Sequence, residues 1–218
     1  MTPGLRYALA MFSLFPAVIG MIKYKRVNSL FYPFIWMMFL VVFVENINYL
    51  GVKIRVLNSI LPIAENSYML FNFFLFLKFI TNFKYLSNKK AAILFGLTII
   101  IGIWNYIYSK TVLTAFYYLL CFVSIIMLLI AINILTRQIM EVKQRLVKNF
   151  WFWFCATSVL YNAYTLLVFA PYFFALENTP TGKTLGYIQD FVDAGCYILY
   201  GIAILKIPKI SEYTKNRL

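Results

Sequence analysis

Apolar residues run along this chain in long blocks, separated by short polar or basic segments. Seven such blocks stand out, at 5–22, 30–50, 59–80, 91–108, 113–135, 150–170 and 185–205. A helix needs about 20 mostly apolar residues to cross the hydrocarbon layer of a bilayer, and the blocks approach that length repeatedly. The pattern predicts an all-α polytopic membrane protein, a seven-transmembrane-helix bundle forming one domain over residues 1–218. The first and fourth blocks are short, and the fourth is the weakest. No soluble domain, long linker or low-complexity tail fits between them.

Prolines agree with these boundaries. Pro33 and Pro62 fall at first-turn positions, where a missing N–H costs little. Pro171 and Pro208 lie at or just past helix ends. Pro16 sits inside the first block and predicts a kink there. That block has one positive charge before it, no small-residue cleavage site, and "KYKR" directly after it. It is therefore read as a retained span and not as a cleaved signal peptide.

Composition supports the class. Hydrophobic residues make up 63% of the chain and charged residues 12%, with a mean hydropathy of +0.80. A soluble domain has roughly a quarter of its residues charged, so lipid is the expected solvent for most of this surface. Orientation follows from the cations. Fourteen Lys and Arg residues lie in the segments after odd-numbered spans, against five on the opposite side. Short loops rich in Lys and Arg stay cytoplasmic, which predicts an N-terminus outside and a C-terminus inside. The net charge of +13 is then a topology signal, with some attraction to anionic head groups, and calls for no nucleic-acid partner.

The candidate chemistry is carried by acids. Only seven of 218 residues are Asp or Glu. The stretch "ENINYLGVKIRVLNSILPIAENSYM" nevertheless places Glu45 and Asn46 near the end of the second block and Glu65 and Asn66 near the start of the third. The seventh contains "YIQDFVDAGCYILY", with Asp190 and Asp193. Four acids thus fall within membrane segments, all in the outer half, where a charge is still costly unless it faces water or a partner. Asn48, Asn105, Asn162 and Gln189 share or adjoin that layer. Residues three and four apart share a helix face, which groups Glu45 with Asn48 and Tyr49, Glu65 with Tyr68 and Asn72, and Asp190 with Asp193 and Tyr197. Tyr161, Tyr164 and Thr165 flank Asn162. The expectation is an outward pocket that binds a small ligand through Glu45, Asn46, Asn48, Glu65, Asn66, Asn162, Asp190 and Asp193, with Arg6, Lys53 and Arg55 as counter-charges. Helix-to-helix glue is the alternative role for the same polar groups.

Other chemistries lack their residues. There is no histidine for a zinc site or a catalytic triad. Cys121, Cys155 and Cys196 stand singly in apolar blocks and read as small buried hydrophobes. "TGKT" at 181–184 lacks the first glycine of a phosphate loop, since Glu177 stands there. No enzyme activity, cofactor or metal is expected. Two function classes remain: a sensor or partner-coupling protein, and a small transporter of a cationic or polar solute. A cytoplasmic partner would dock on loop 136–149 or the C-terminal tail, because the other loops are short.

An internal repeat is legible. Residues 65–80 laid on 193–208 align Glu65 with Asp193 and Leu77-Lys78 with Leu205-Lys206, and the second block laid on the sixth pairs Asn46 with Asn162. This gives a 3+1+3 parallel repeat, a transporter theme. The segments "FPAVIGMIKYKR", "YPFIW", "YMLFNF", "KNFWFW" and "YILYGIAILKIPK" resemble an uncharacterised family of small seven-helix bacterial inner-membrane proteins. That resemblance implies fold and location and brings no activity with it. The 3+1+3 layout also resembles the small sugar transporters with proline–glutamine motifs, although no proline here is followed by glutamine.

Overall fold

The computed structural model describes residues 3–53, 61–108, 112–141, 146–173 and 179–210. These are helical almost throughout, with an isolated bridge between Val27 and Lys209. Helix α1 (Pro3–Ala10) passes through a 3-10 turn (Met11–Ser13) into α2 (Leu14–Lys23). The long helices α3 (Tyr32–Lys53), α4 (Leu61–Asn82), α5 (Asn88–Tyr108), α6 (Val112–Glu141), α7 (Phe150–Phe173) and α8 (Pro180–Leu205) follow.

Among the described residues, six helical stretches are long and apolar enough to cross a membrane: 4–26, 29–47, 88–107, 117–140, 150–169 and 180–205. Helix α4 is not one of them. The fourth block, expected to be the weakest, qualifies, and the third falls short. Its polarity is the reason, since Glu65, Asn66, Ser67, Asn72 and Lys78 all lie within α4.

Helix ends follow local chemistry. Pro33 and Pro62 each occupy the second residue of a helix. The break in the first run precedes Pro16, whose ring crowds the carbonyl four residues back, at Phe12. Pro171 lies inside the last turn of α7 and does not end it. Thr179 caps α8 by accepting from the Gly182 N–H at 3.2 Å, and Pro180 opens the helix at a position where no N–H is needed. Residues 181–184, expected in a loop, are therefore its first turn. Helix α6 runs six residues past the expected end at 135, so 136–141 of the expected 136–149 loop are helical. The C-terminus of α4 closes with Lys84 at φ 61°. Its N–H bonds to Thr81 O at 3.0 Å, and the Tyr85 N–H bonds to Ile80 O at 3.3 Å. This is the paired Schellman closure, usually made with glycine at the left-handed position.

The helices pack as a ring with one helix outside it. The run α1–α2 contacts α3, then α3 contacts α4, α4 contacts α6, α6 contacts α7, α7 contacts α8, and α8 returns to α1 and α2. Helix α5 packs on α4 and α6 from outside the ring and exposes Ile93, Ile100, Ile103, Trp104 and Ile107. Such a surface suits lipid, where helices associate by close packing more than by the hydrophobic effect. The α2–α8 contact is especially close. A Cβ built on Gly201 would lie 2.3 Å from a ring carbon of Phe15, so only glycine admits that ring without a shift.

The two ends of the ring differ. At one, Lys23 Nζ donates to the carbonyls of Ile204, Leu205 and Ile207 at 3.2, 2.7 and 3.4 Å. The Asn82 side chain donates to Leu30 O at 3.2 Å, and Gln138 joins Tyr85 to Asn149. Lys25, Arg26, Lys84, Lys148 and Lys206 are exposed around this basic end. Next to it lies an aromatic core. Phe31, Phe34, Phe79, Phe150 and Phe154 are almost wholly buried, with ring centroids 5.1 Å apart for Phe31–Phe150, Phe34–Phe154 and Phe79–Phe154, in the favourable range for aromatic pairs.

Candidate functional site

The opposite end of the ring holds a cavity of about 320 Å³. Every helix of the ring except α2 contributes to its wall, and no described residue of α5 does. Arg6, Leu9 and Ala10 come from α1, Glu45 from α3, and Glu65, Tyr68, Met69 and Asn72 from α4. Leu120, Val123, Ser124 and Met127 come from α6, Tyr161, Asn162 and Thr165 from α7, and Gln189, Asp190, Asp193 and Tyr197 from α8.

Helical spacing explains the wall. Glu65, Tyr68, Met69 and Asn72 recur at three and four residues, as do Gln189, Asp190, Asp193 and Tyr197, so each set forms one stripe. A neighbour in sequence lies about 100° further around the axis, so it joins the wall only where the stripe is wide enough, as at Tyr68–Met69 and Gln189–Asp190. Asn46 thus turns away from the cavity that holds Glu45, and its Nδ2 donates to Val42 O of its own helix at 2.8 Å. Asn66, half-buried, is likewise not in the wall. Asn105 belongs to α5, outside the ring. The side chains of Asn48, Tyr49 and Lys53, and all of Arg55, lie outside the described residues. Of the eight residues expected at a ligand site, the cavity brings together Glu45, Glu65, Asn162, Asp190 and Asp193.

Polar contacts cross the cavity between helices. Tyr197 donates its hydroxyl to Glu45 Oε1 at 2.9 Å, tying α8 to α3. Arg6 Nε lies 3.3 Å from Asp190 Oδ1, tying α1 to α8; the arginine side chain is 74% exposed and the aspartate 15%. Gln189 donates its amide to Asp193 Oδ1 one turn along α8. An ionised carboxylate only accepts, which turns the Gln189 amide nitrogen toward Asp193 and its carbonyl oxygen the other way. That oxygen is buried without a donor, and so is Asn72 Oδ1. Thr165 and Asn162 bond back to the carbonyls of Tyr161 and Ser158, at 2.8 and 2.7 Å, which leaves α7 polar where it faces the cavity.

Below this layer aromatic rings take over from the polar groups. Tyr200, one turn past Tyr197, pairs with Ser158 at 3.1 Å and abuts Phe34, with ring centroids 5.8 Å apart. Phe154 lies eight residues before Asn162, roughly 12 Å along α7, so the phenylalanine core closes the cavity toward the basic end.

Sequence reasoning missed the α6 wall. Ser124 is the one hydroxyl there among apolar neighbours, and α6 is apolar all round, so no stripe distinguishes its inward face. The three cysteines are free and buried. Among the described residues no three His, Cys, Asp or Glu side chains are grouped so as to hold a metal ion. No protein-family model, no curated protein and no solved structure matches the chain.

Proposed function

We propose that this chain is a seven-span protein of the bacterial inner membrane, with its N-terminus outside and C-terminus in the cytoplasm, that senses a small ligand through this cavity and passes the signal to a protein partner. The carrying observation is that one cavity gathers polar side chains from six helices, α1, α3, α4, α6, α7 and α8, at the end away from the exposed lysines. Helix glue requires only pairwise contacts, whereas here carboxyl, amide and phenol groups surround a shared space. We read α4 as the seventh span, because its polar stripe faces that space and its lower half carries core residues such as Phe73, Phe76 and Phe79. A position for α5 outside the ring supports its role as the single helix of a 3+1+3 arrangement.

Sensing is favoured over transport by the aromatic core. A solute passing through would have to part rings that are buried and mutually packed, while a ligand that only tightens the ring needs no such opening. Transport of a cationic or polar solute is the second reading, supported by the ring layout itself. We do not read the site as catalytic: Thr165 spends its hydroxyl on the Tyr161 carbonyl, and among the described residues of the wall no lysine or histidine stands beside Ser124.

The test is thiol accessibility. Asn72→Cys, in the wall, is expected to react with a membrane-impermeant maleimide added to intact cells. Ala131→Cys, fully buried on α6, is expected to stay unlabelled. Labelling of Asn72→Cys only after the cells are opened would reverse the cavity's address and overturn the reading. A membrane pull-down with residues 142–148 native, and again exchanged for Gly and Ser, then separates the classes. A partner lost with the exchange supports coupling, and partner-free solute uptake into proteoliposomes supports transport.

A further inference from the structure

The cavity wall has an unbalanced inventory of charge and hydrogen bonds. Glu45, Glu65, Asp190 and Asp193 bring four carboxyl groups from three helices. Among the described residues of the wall, Arg6 is the cation that faces them. The buried oxygens of Asn72 and Gln189 add acceptors without donors. Buried acceptors are normally satisfied, so a donor-rich, positively charged occupant is what this wall lacks.

The spacing narrows its chemistry. No three acidic or thiol side chains converge closely enough to hold one metal ion among the described residues, so a bare ion would not find three such ligands at one point. Tyr68, Tyr161 and Tyr197 also line the space, and aromatic faces attract ammonium groups within about 6 Å. The volume, about 320 Å³, lies at the small end of the roughly 300–1,000 Å³ typical of ligand pockets.

We propose that the cavity receives a small organic ammonium ion and that Arg6 occupies the ligand's electrostatic place until it arrives. This rests on the cavity being a ligand site, as proposed above. Arg6 suits the role of internal competitor. Its guanidinium reaches Asp190 while most of its side chain stays exposed, so it can swing out without disturbing the packed ring. It sits on α1, before the 3-10 turn that interrupts the first helical run.

The experiment uses the full chain in lipid nanodiscs, with thermal shift and calorimetry as readouts. The probes are 1,4-diaminobutane, tetramethylammonium and phenethylamine, with N,N′-diacetyl-1,4-diaminobutane as the neutral control, succinate as the anion and calcium as the metal ion. At least one amine is expected to bind and raise Tm, while the controls do neither. Arg6→Gln should tighten that amine's binding by about threefold or more, since a competing charge is removed. Asp193→Asn should weaken it by about tenfold, and Lys89→Gln, at the basic end, should leave it unchanged. Because Arg6 is exposed, its variant is expected to fold even where Asp193→Asn does not. Binding of succinate, calcium or the neutral control in preference to the amines would overturn the inference and leave the cavity reading intact. So would looser amine binding in Arg6→Gln, or failure of every amine while Asn72→Cys is still labelled from outside. Absence of binding by any probe together with an unlabelled Asn72→Cys would remove the cavity reading itself.

Discussion

Ser13 shows how much a single side chain can disclose here. It is buried in the 3-10 turn of the first run, and its hydroxyl has no partner. An unsatisfied buried hydroxyl costs about 1–3 kcal/mol, and alanine removes it while leaving the smallest of gaps. Ser13→Ala is therefore expected to hold or raise stability by about 1 kcal/mol, read as Tm in detergent or nanodiscs. A clear loss would mean that the hydroxyl serves a bound water or ligand. At this scale the sequence was partly legible. The spacings Glu65–Tyr68–Asn72 and Asp190–Asp193–Tyr197 were enough to find two walls of the cavity. The adjacent pairs Glu45-Asn46 and Glu65-Asn66 are split by the fold, which places only the acid of each in the wall. Gln189 stood in the expected polar layer, but its bond to Asp193, which orients the amide, needs coordinates to be seen.

Helices were easier to read than their ends or their neighbours. Each of the seven apolar blocks corresponds to a helical stretch, since lipid-length apolar runs have few other ways to satisfy their backbone. The ends moved where capping chemistry intervened, as at Thr179–Pro180, and where a helix ran on into polar sequence, as α6 does to Glu141. The α4 terminus makes a prediction of its own. Lys84 holds a left-handed backbone that glycine adopts without a Cβ penalty. Lys84→Gly should stabilise the protein by about 1 kcal/mol, and Lys84→Val should destabilise it by at least as much. Thermal denaturation of both variants checks the pair, and equal effects of Gly and Val would show that the turn relaxes to another conformation. What the sequence could not supply was adjacency. Nothing in the pattern of α5 tells that it packs outside a ring, or that α4 and α6, separated by it in sequence, become neighbours.

Across the whole molecule, charge is segregated along the ring axis. Acids cluster at the cavity end, and exposed lysines and arginines at the end joined by the 24–31, 83–87 and 205–209 turns. The proposed orientation follows from that segregation. A reporter active only in the cytoplasm should be active when fused after residue 210 and silent in the 174–178 segment. The opposite pattern would turn the protein over and place the cavity on the cytoplasmic face. The charge ledger was visible from the sequence because it needs only positions between blocks. The cavity was foreseen as a layer of polar groups, but its enclosure by six helical runs emerges only from their packing.

The joint between the first and last helices has a consequence in time. Lys23 is held by carbonyls of residues 204–207, Phe15 fits against Gly201, and Arg6 pairs with Asp190. Each contact joins a segment synthesised early to one synthesised late. In a chain inserted as proposed above, the first run waits in the bilayer, its basic end unclasped and Arg6 without Asp190, until residues 180–209 follow. The cavity is the last thing to be built, and a chain halted before α8 would carry most of its polar wall with nothing to close it.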